Sequence, residues 1–82
     1  MDRKKQLENL ARTILKLKSE KEIIEFLRWF LTPKELEHLP VRLEIIRMLK
    51  SGIPQWEIAH KLGVGIATVT RGAKELKKQK KI

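Results

Sequence analysis

At 82 residues with no cysteine, the chain has room for one small domain, 1–82, and no disulfide or thiolate-bound metal to reinforce a thin core. Self-association is the remaining common remedy at this size. Nineteen basic and 10 acidic residues leave a net charge of +9, of which residues 1–18 carry +4 and Arg71 to Ile82 carry +5, while 19–53 balance. No apolar run approaches the ~20 residues of a membrane span, and no signal-peptide core follows the charged start, so an intracellular, cytoplasmic chain is expected.

Residues 2–18 place Leu7, Leu10, Ala11, Ile14, Leu15 and Leu17 largely at helical spacing, with Asp2 as N-cap. The basic polar face would suit a membrane surface, but the apolar stripe has no aromatic anchor, which favours packing against another helix. Ser19 with Glu22 three residues later reads as a capping box opening a second helix near residue 20. Ile23, Ile24, Phe26, Leu27, Phe30 and Leu31 make that helix apolar on more than one side. Burying several faces in so small a domain calls for a second subunit, so 1–31 is expected to supply dimerisation helices.

Thr32-Pro33-Lys34-Glu35 marks the next helix start, with Thr as N-cap, Pro at N1 and Glu at N3. A third helix over 32–52 carries Leu36, Leu39, Leu43, Ile46 and Leu49 and closes at Gly52. Pro40 lacks the N–H that would bond four residues back, so a kink or a break into two helices is expected at His38–Pro40. A fourth helix is expected from about Pro54 to Leu62, and a fifth from Ile66 toward Lys80. No segment alternates as a strand does, so the class is all-α, with five to six short helices.

Within 54–80 the run QWEIAHKLGVGIATVTRG, from Gln55 to Gly72, reads as two helices meeting at a glycine-bearing turn. Ile58, Leu62, Val64 and Val69 are apolar where crossing helices bury side chains. Ala59 is small where the helices approach. Gly63 supplies a turn residue free to adopt positive φ. That pattern is a helix-turn-helix, whose second helix enters the DNA major groove, followed here by a basic tail suited to phosphate contact. Lysine-rich ends can equally be solvated tails; next to a reading helix the phosphate role is preferred.

From Leu31 onward, about 50 residues, the sequence resembles the tryptophan repressor family. The resemblance rests on Leu31-Thr32-Pro33-Lys34-Glu35, the arginine of Val41-Arg42-Leu43, and above all Gly63-Val64-Gly65-Ile66-Ala67-Thr68-Val69-Thr70-Arg71-Gly72. It implies an intertwined all-helical homodimer, two recognition helices in successive major grooves of a double-stranded operator, and L-tryptophan as co-repressor. Carried over by position, Arg42 and Arg71 would sandwich the indole, and Arg71 would also hold the carboxylate. Thr32 and Gly72 would line the pocket, and backbone carbonyls near Trp29 and Leu31 would receive the ammonium. Guanidinium groups stack on aromatic faces and pair with carboxylates in a way lysine does not. Each residue alone also has a plain reading: Thr32 a cap, Arg42 a surface charge, Arg71 a phosphate contact. For DNA, the resemblance places Ile66, Ala67 and Thr70 at base edges, with Gln55 and Thr68 near phosphates. Lys61, Lys74, Lys77 and Lys78 would add sequence-independent affinity.

Three departures bear on these implications. Glu75 stands where the family has a small hydroxyl residue near the ligand's amino group; it would either pair with that ammonium or neutralise Arg71 and close the pocket. Trp56 replaces an arginine that reads guanine in a family member, so the operator should differ, and Trp56 is expected as a core or interface anchor rather than an apolar DNA contact. The chain also stops at Ile82, before the family's further helix, which would leave dimerisation to the first three helices, and one residue fewer near Gly52 implies a tighter turn.

Catalysis finds no support. His38 and His60 are far apart in sequence and read as surface or cap residues, so neither a catalytic residue nor a metal site nor a cofactor is assigned. Two alternatives to a tryptophan-responsive repressor stay open. One is a ligand-independent DNA-binding regulator on the same scaffold. The other is a basic helical module for RNA or protein.

Overall fold

The computed structural model describes residues 2–79, and the ends of the basic tail, Lys80 included, lie outside them. Five helices follow in order: α1 (Arg3–Leu15), α2 (Glu20–Phe30), α3 (Pro33–Lys50), α4 (Gln55–Leu62) and α5 (Ile66–Lys78), with no strand among the described residues. The chain is all-α, and among the described residues no helix is long and apolar enough to cross a membrane. It divides into two compact units, Met1–Leu36 and Glu37–Ile82.

In the first unit the helix starts follow their capping residues. Asp2 accepts a hydrogen bond from the Lys4 N–H at 2.9 Å and opens α1. The Ser19 hydroxyl accepts from the Glu22 N–H at 3.1 Å, but the Glu22 carboxylate reaches past Ser19 to the Lys18 N–H at 2.7 Å. The return arm of this box thus covers the residue before the cap. Thr32 and Glu35 close both arms, with Glu35 N–H donating to Thr32 Oγ1 at 3.2 Å and Thr32 N–H to Glu35 Oε1 at 2.9 Å.

The breadth of apolar surface on α2 is not buried within the protomer. Only Phe26 is buried there; its ring stacks on Phe30 at 4.9 Å and meets Trp29 edge-on at 5.3 Å. Trp29 remains 72% exposed, and α1 buries no residue, with Leu15 81% exposed. Burial of a large apolar side chain contributes roughly 1.5–3 kcal/mol, and along α1 and α2 most of that is unrealised in a single chain.

α3 is not broken at Pro40. The helix runs without interruption from Pro33 to Lys50, so the alternative of two shorter helices is not what forms. A proline costs an interior helix one hydrogen bond and some carbonyl clearance, about 3 kcal/mol, and the turns on either side carry the helix through.

The core of the second unit is small and compact. Ile45 from α3, Ile58 from α4 and Val69 from α5 form its centre, and Val41, Met48, Leu49, Ile53, Ala59, Leu62 and Val64 pack around them. Both ends that turn into the next helix close on a left-handed glycine. At Gly52 (φ 82°) the Ile53 N–H reaches back to Met48 O at 3.1 Å, and at Gly63 (φ 65°) the Val64 N–H reaches Ala59 O at 3.1 Å. These six-to-one bonds satisfy carbonyls that the helix end would otherwise orphan. The expected turn geometry and all four apolar contacts of the helix-turn-helix are therefore present.

Gly72 has a structural duty that sequence spacing did not reveal. A Cβ built there would stand 3.1 Å from Ile45 Cγ2 and 3.9 Å from Leu49 Cδ1, so α5 crosses α3 where any side chain would press on Ile45. Ile45 is 2% exposed and has little room to retreat. Gly72→Val is expected to destabilise the protein by about 2–3 kcal/mol, read from thermal or urea unfolding, because overpacking outweighs the gain in helix propensity.

Candidate nucleic-acid interface and its adjoining cleft

The leading turn of α5 is presented to solvent. Ile66, Ala67 and Thr68 are exposed, and Ile66 is 51% exposed despite its apolar side chain. Val69 turns the other way, fully buried against Ile45 and Ile58, which fixes the rotation of the helix about its axis. Gly65 is the N-cap and provides no side-chain hydrogen bond, and no acidic residue lies in the first turn. The Thr68 N–H bonds back to Gly65 O at 3.1 Å, which leaves the amides of Ile66 and Ala67 at the positive end of the helix dipole, a favourable place for a phosphate oxygen.

A hydrogen bond ties this helix to the start of α4. Thr70 Oγ1 lies 2.9 Å from Gln55 Oε1 and 3.0 Å from Ile66 O, two acceptors between which its single proton is shared. Thr70 is half-buried, and the bond leaves the Gln55 side-chain NH2 free to donate elsewhere. Gln55 and Thr70 are thus brought together, the first at the head of α4 and the second one turn beyond Ile66.

Among the lysines, Lys61 pairs with Glu57 at 3.2 Å and Lys78 with Glu75 at 3.7 Å. Exposed i,i+4 and i,i+3 pairs of this kind are worth a few tenths of a kcal/mol at most and yield readily to a polyanion. Lys74 and Lys77 are exposed and hold no carboxylate among the described residues. The basic last turn of α5, Lys77 and Lys78, also suits the negative end of the helix dipole.

Beside α5 lies an open cleft of about 710 Å3, bounded entirely by residues of the second unit. Arg42, Arg71, Gly72 and Glu75, four of the residues expected around a ligand, line it. Val41, Ile45 and Val64 supply apolar lining, and Thr68 also faces the space. Glu37 and His38 line it as well and were not singled out from sequence as site residues. Their signal was the helical spacing His38–Arg42 and Glu37–Val41, which sets each pair on one face of α3. Neither Arg42 nor Arg71 is in an ion pair among the described residues, and Glu75 engages Lys78 rather than Arg71.

The other three expected ligand residues belong to the first unit. Thr32 is the N-cap of α3, with its hydroxyl oxygen accepting from Glu35. Leu31 is the C-cap of α2, its N–H bonded to Leu27 O at 3.0 Å, so the carbonyls after Leu27, Trp29 among them, lie beyond the last helical bond.

Trp56 corrects an expectation. Of the two expected roles, the core anchor is not what forms, since Trp56 is 68% exposed and has no aromatic partner among the described residues, while the interface anchor stays an expectation. Ile58, two positions on, faces the opposite side of α4 and takes the core position, so a helix of eight residues has no second buried face to offer.

A family model described as Trp repressor protein matches residues 5–81. The chain belongs to the Trp repressor family. Several relatives, each named Trp operon repressor homolog, agree with that placement. The one from Vibrio vulnificus (strain YJ016) is 50% identical over 52 residues, which are 62% of this chain and 51% of the relative. The one from Vibrio atlanticus (strain LGP32) is 37% identical over 73 residues, 88% of this chain and 71% of the relative. A third, from Actinobacillus succinogenes, is 43% identical over 54 residues, 65% of this chain and 54% of the relative. The matched segment thus spans about half the length of most of these relatives. No solved structure matches. The family is one of regulators rather than enzymes, which removes catalysis from consideration.

Proposed function

We propose that this protein is a homodimeric transcriptional repressor that binds a double-stranded DNA operator through α5, with L-tryptophan as co-repressor in the cleft beside it. The observation that carries this reading is the presentation of α5. Its apolar face is locked by Val69 and Gly72 onto Ile45 and Ile58, and its leading turn of small or exposed side chains is left open. A rigid, uncapped helix start with a basic far end is what insertion into a major groove asks for. The family relation and the names of the relatives point the same way.

The cleft supports the co-repressor. Two guanidinium groups with no ion pair among the described residues, Arg42 and Arg71, border an apolar lining of Val41, Ile45 and Val64, a set suited to an aromatic ring bearing a carboxylate. Glu75 then supplies the charge for an ammonium, exchanging its exposed Lys78 for the ligand. Ligand held against α5 would set the pitch at which the helix meets DNA.

The first unit supports the dimer: Leu7, Ile14, Leu15, Ile24, Trp29 and Phe30 are all exposed in one chain, apolar side chains that a second copy would cover. Solution scattering is expected to give twice the protomer mass of 9.7 kDa; a lone protomer at micromolar concentration would defeat the proposal.

The deciding experiment is a DNA-shift titration against a duplex selected from a randomised pool, with and without L-tryptophan, at two salt concentrations. Tryptophan is expected to tighten binding. Affinity is expected to fall by roughly 10³–10⁵ between about 50 and 200 mM salt if six to ten phosphates are contacted. Binding that ignores tryptophan would leave a ligand-independent regulator, and indifference to duplex DNA would leave the RNA or protein module.

A further inference from the structure

We infer that Glu75 makes the cleft select a free α-amino acid over the same acid without its amino group, with Lys78 as the internal cation that the ligand's ammonium displaces. The inference rests on the co-repressor reading above and adds to it what the cleft rejects.

Thr68, Arg71, Gly72 and Glu75 line the cleft from α5, and their spacing sets them in one stripe along the helix. Arg71 and Glu75 are thus one turn apart, a cation and a carboxylate bordering the same space. They do not pair. Glu75 Oε1 lies 3.7 Å from Lys78 Nζ, and Arg71 has no ion pair among the described residues. An acid followed by a base pairs better along a helix than the reverse order, which favours Glu75–Lys78 over Arg71–Glu75. A zwitterion with its carboxylate at Arg71 and its ammonium at Glu75 answers both side chains.

Neither the fold nor DNA binding accounts for Glu75. It stands in the last turn of α5, at the negative end of the helix dipole, where a carboxylate is disfavoured. It is also the one acidic residue among six basic ones from Arg71 to Ile82, a run otherwise suited to phosphate. Its side chain is 62% exposed, and its pair with Lys78, 71% exposed, is of a kind that contributes little. For an ammonium the same position is favourable, because the carboxylate and the helix end attract it together. A ligand without the amino group would bring its negative charge into a cleft that Glu37 and Glu75 already line, and would leave Glu75 to the exposed Lys78.

The test is calorimetry on the DNA-free protein with L-tryptophan and with indole-3-propionate, which is tryptophan without its amino group. Wild type is expected to bind tryptophan about tenfold more tightly than the propionate. Glu75→Gln should bring the two affinities to within about twofold, by weakening tryptophan and not the propionate. Lys78→Met should tighten tryptophan by about twofold, since a competing cation is removed, and should not tighten the propionate. A merely structural role for Lys78 would not improve binding of one ligand alone. The inference is overturned if wild type binds both ligands alike, if the discrimination survives in Glu75→Gln, or if Lys78→Met leaves tryptophan binding unchanged or weaker. Discrimination that survives there but is lost in Glu37→Gln would give the ammonium to the other carboxylate. The first arm needs no variant, so folding cannot obscure it. Heat from neither ligand would defeat the co-repressor reading together with the inference, whereas equal binding of both would leave that reading standing.

Discussion

Ile66→Glu should abolish specific duplex binding while leaving the protein as stable as before or slightly more so. Ile66 is the first residue of α5, half exposed, at a helix start with no side-chain cap and no acidic residue in its first turn. A carboxylate there meets the positive end of the helix dipole, which stabilises the fold by about 0.3–1 kcal/mol. The same charge faces the phosphates and base acceptors of the groove, where juxtaposed like charges cost several kcal/mol. Affinity should drop by at least about 100-fold, read by fluorescence anisotropy, with a thermal midpoint that holds or rises. The opposite signs make the result informative. Loss of both stability and binding would mean that Ile66 supports the fold, and loss of neither would mean that α5 does not meet DNA.

Ile58→Ala should be the most damaging single truncation in the second unit. Ile58 and Val69 are fully buried and Ile45 nearly so, and these three are the whole centre of the cluster. Removing three carbons from one of them leaves a cavity that the short helix α4 cannot collapse without moving Gln55 off Thr70. The expected cost is about 3–5 kcal/mol, a large part of the stability of a domain this size. In urea unfolding followed by circular dichroism, the midpoint should fall sharply. DNA affinity should fall with it, in proportion to the folded fraction rather than through any lost contact. A variant of near wild-type stability would mean that the cluster around Ile45, Ile58 and Val69 is not what holds α5.

Gly72 shows how a residue can serve a site and a core together. The resemblance to the family implies that it makes room for a ligand beside Arg71, and it does line the cleft. Its backbone also approaches Ile45 Cγ2 closely enough to leave little space for a side chain. The two demands coincide, because Gly72 and Ile45, which meet at the α3–α5 crossing, both line the cleft. A substitution there cannot be read as a ligand effect until folding has been measured.

Much of this was legible in the chain. Helix starts are written in short-range chemistry, so Asp2, Ser19 and Thr32 announce α1, α2 and α3, and each accepts the expected backbone bond. The turn at Gly63 is equally local, because a left-handed φ concerns one residue. The helical spacing of Ile58 and Leu62 identified the buried side of α4, since a 3.6-residue period needs no tertiary information, and Val64 and Val69 join them in the core.

Other features depended on which surfaces meet, and no local pattern records that. Pro40 has a plain local penalty, yet α3 continues through it, because residues on both sides hold the helix. Trp56 is apolar and sits at a helix start, and only the burial of Ile58 on the opposite face decides that the indole stays in water. Glu75 could have neutralised Arg71 on spacing alone; the fold gives it Lys78 and leaves the guanidinium open. Sequence alone determined which segments become helices and which residue types line their faces, through capping, φ preference and periodicity. The tertiary structure decided the bond from Gln55 to Thr70, the crossing at Gly72 and the cleft between α3 and α5, because each joins groups 15 or more residues apart that only packing brings together.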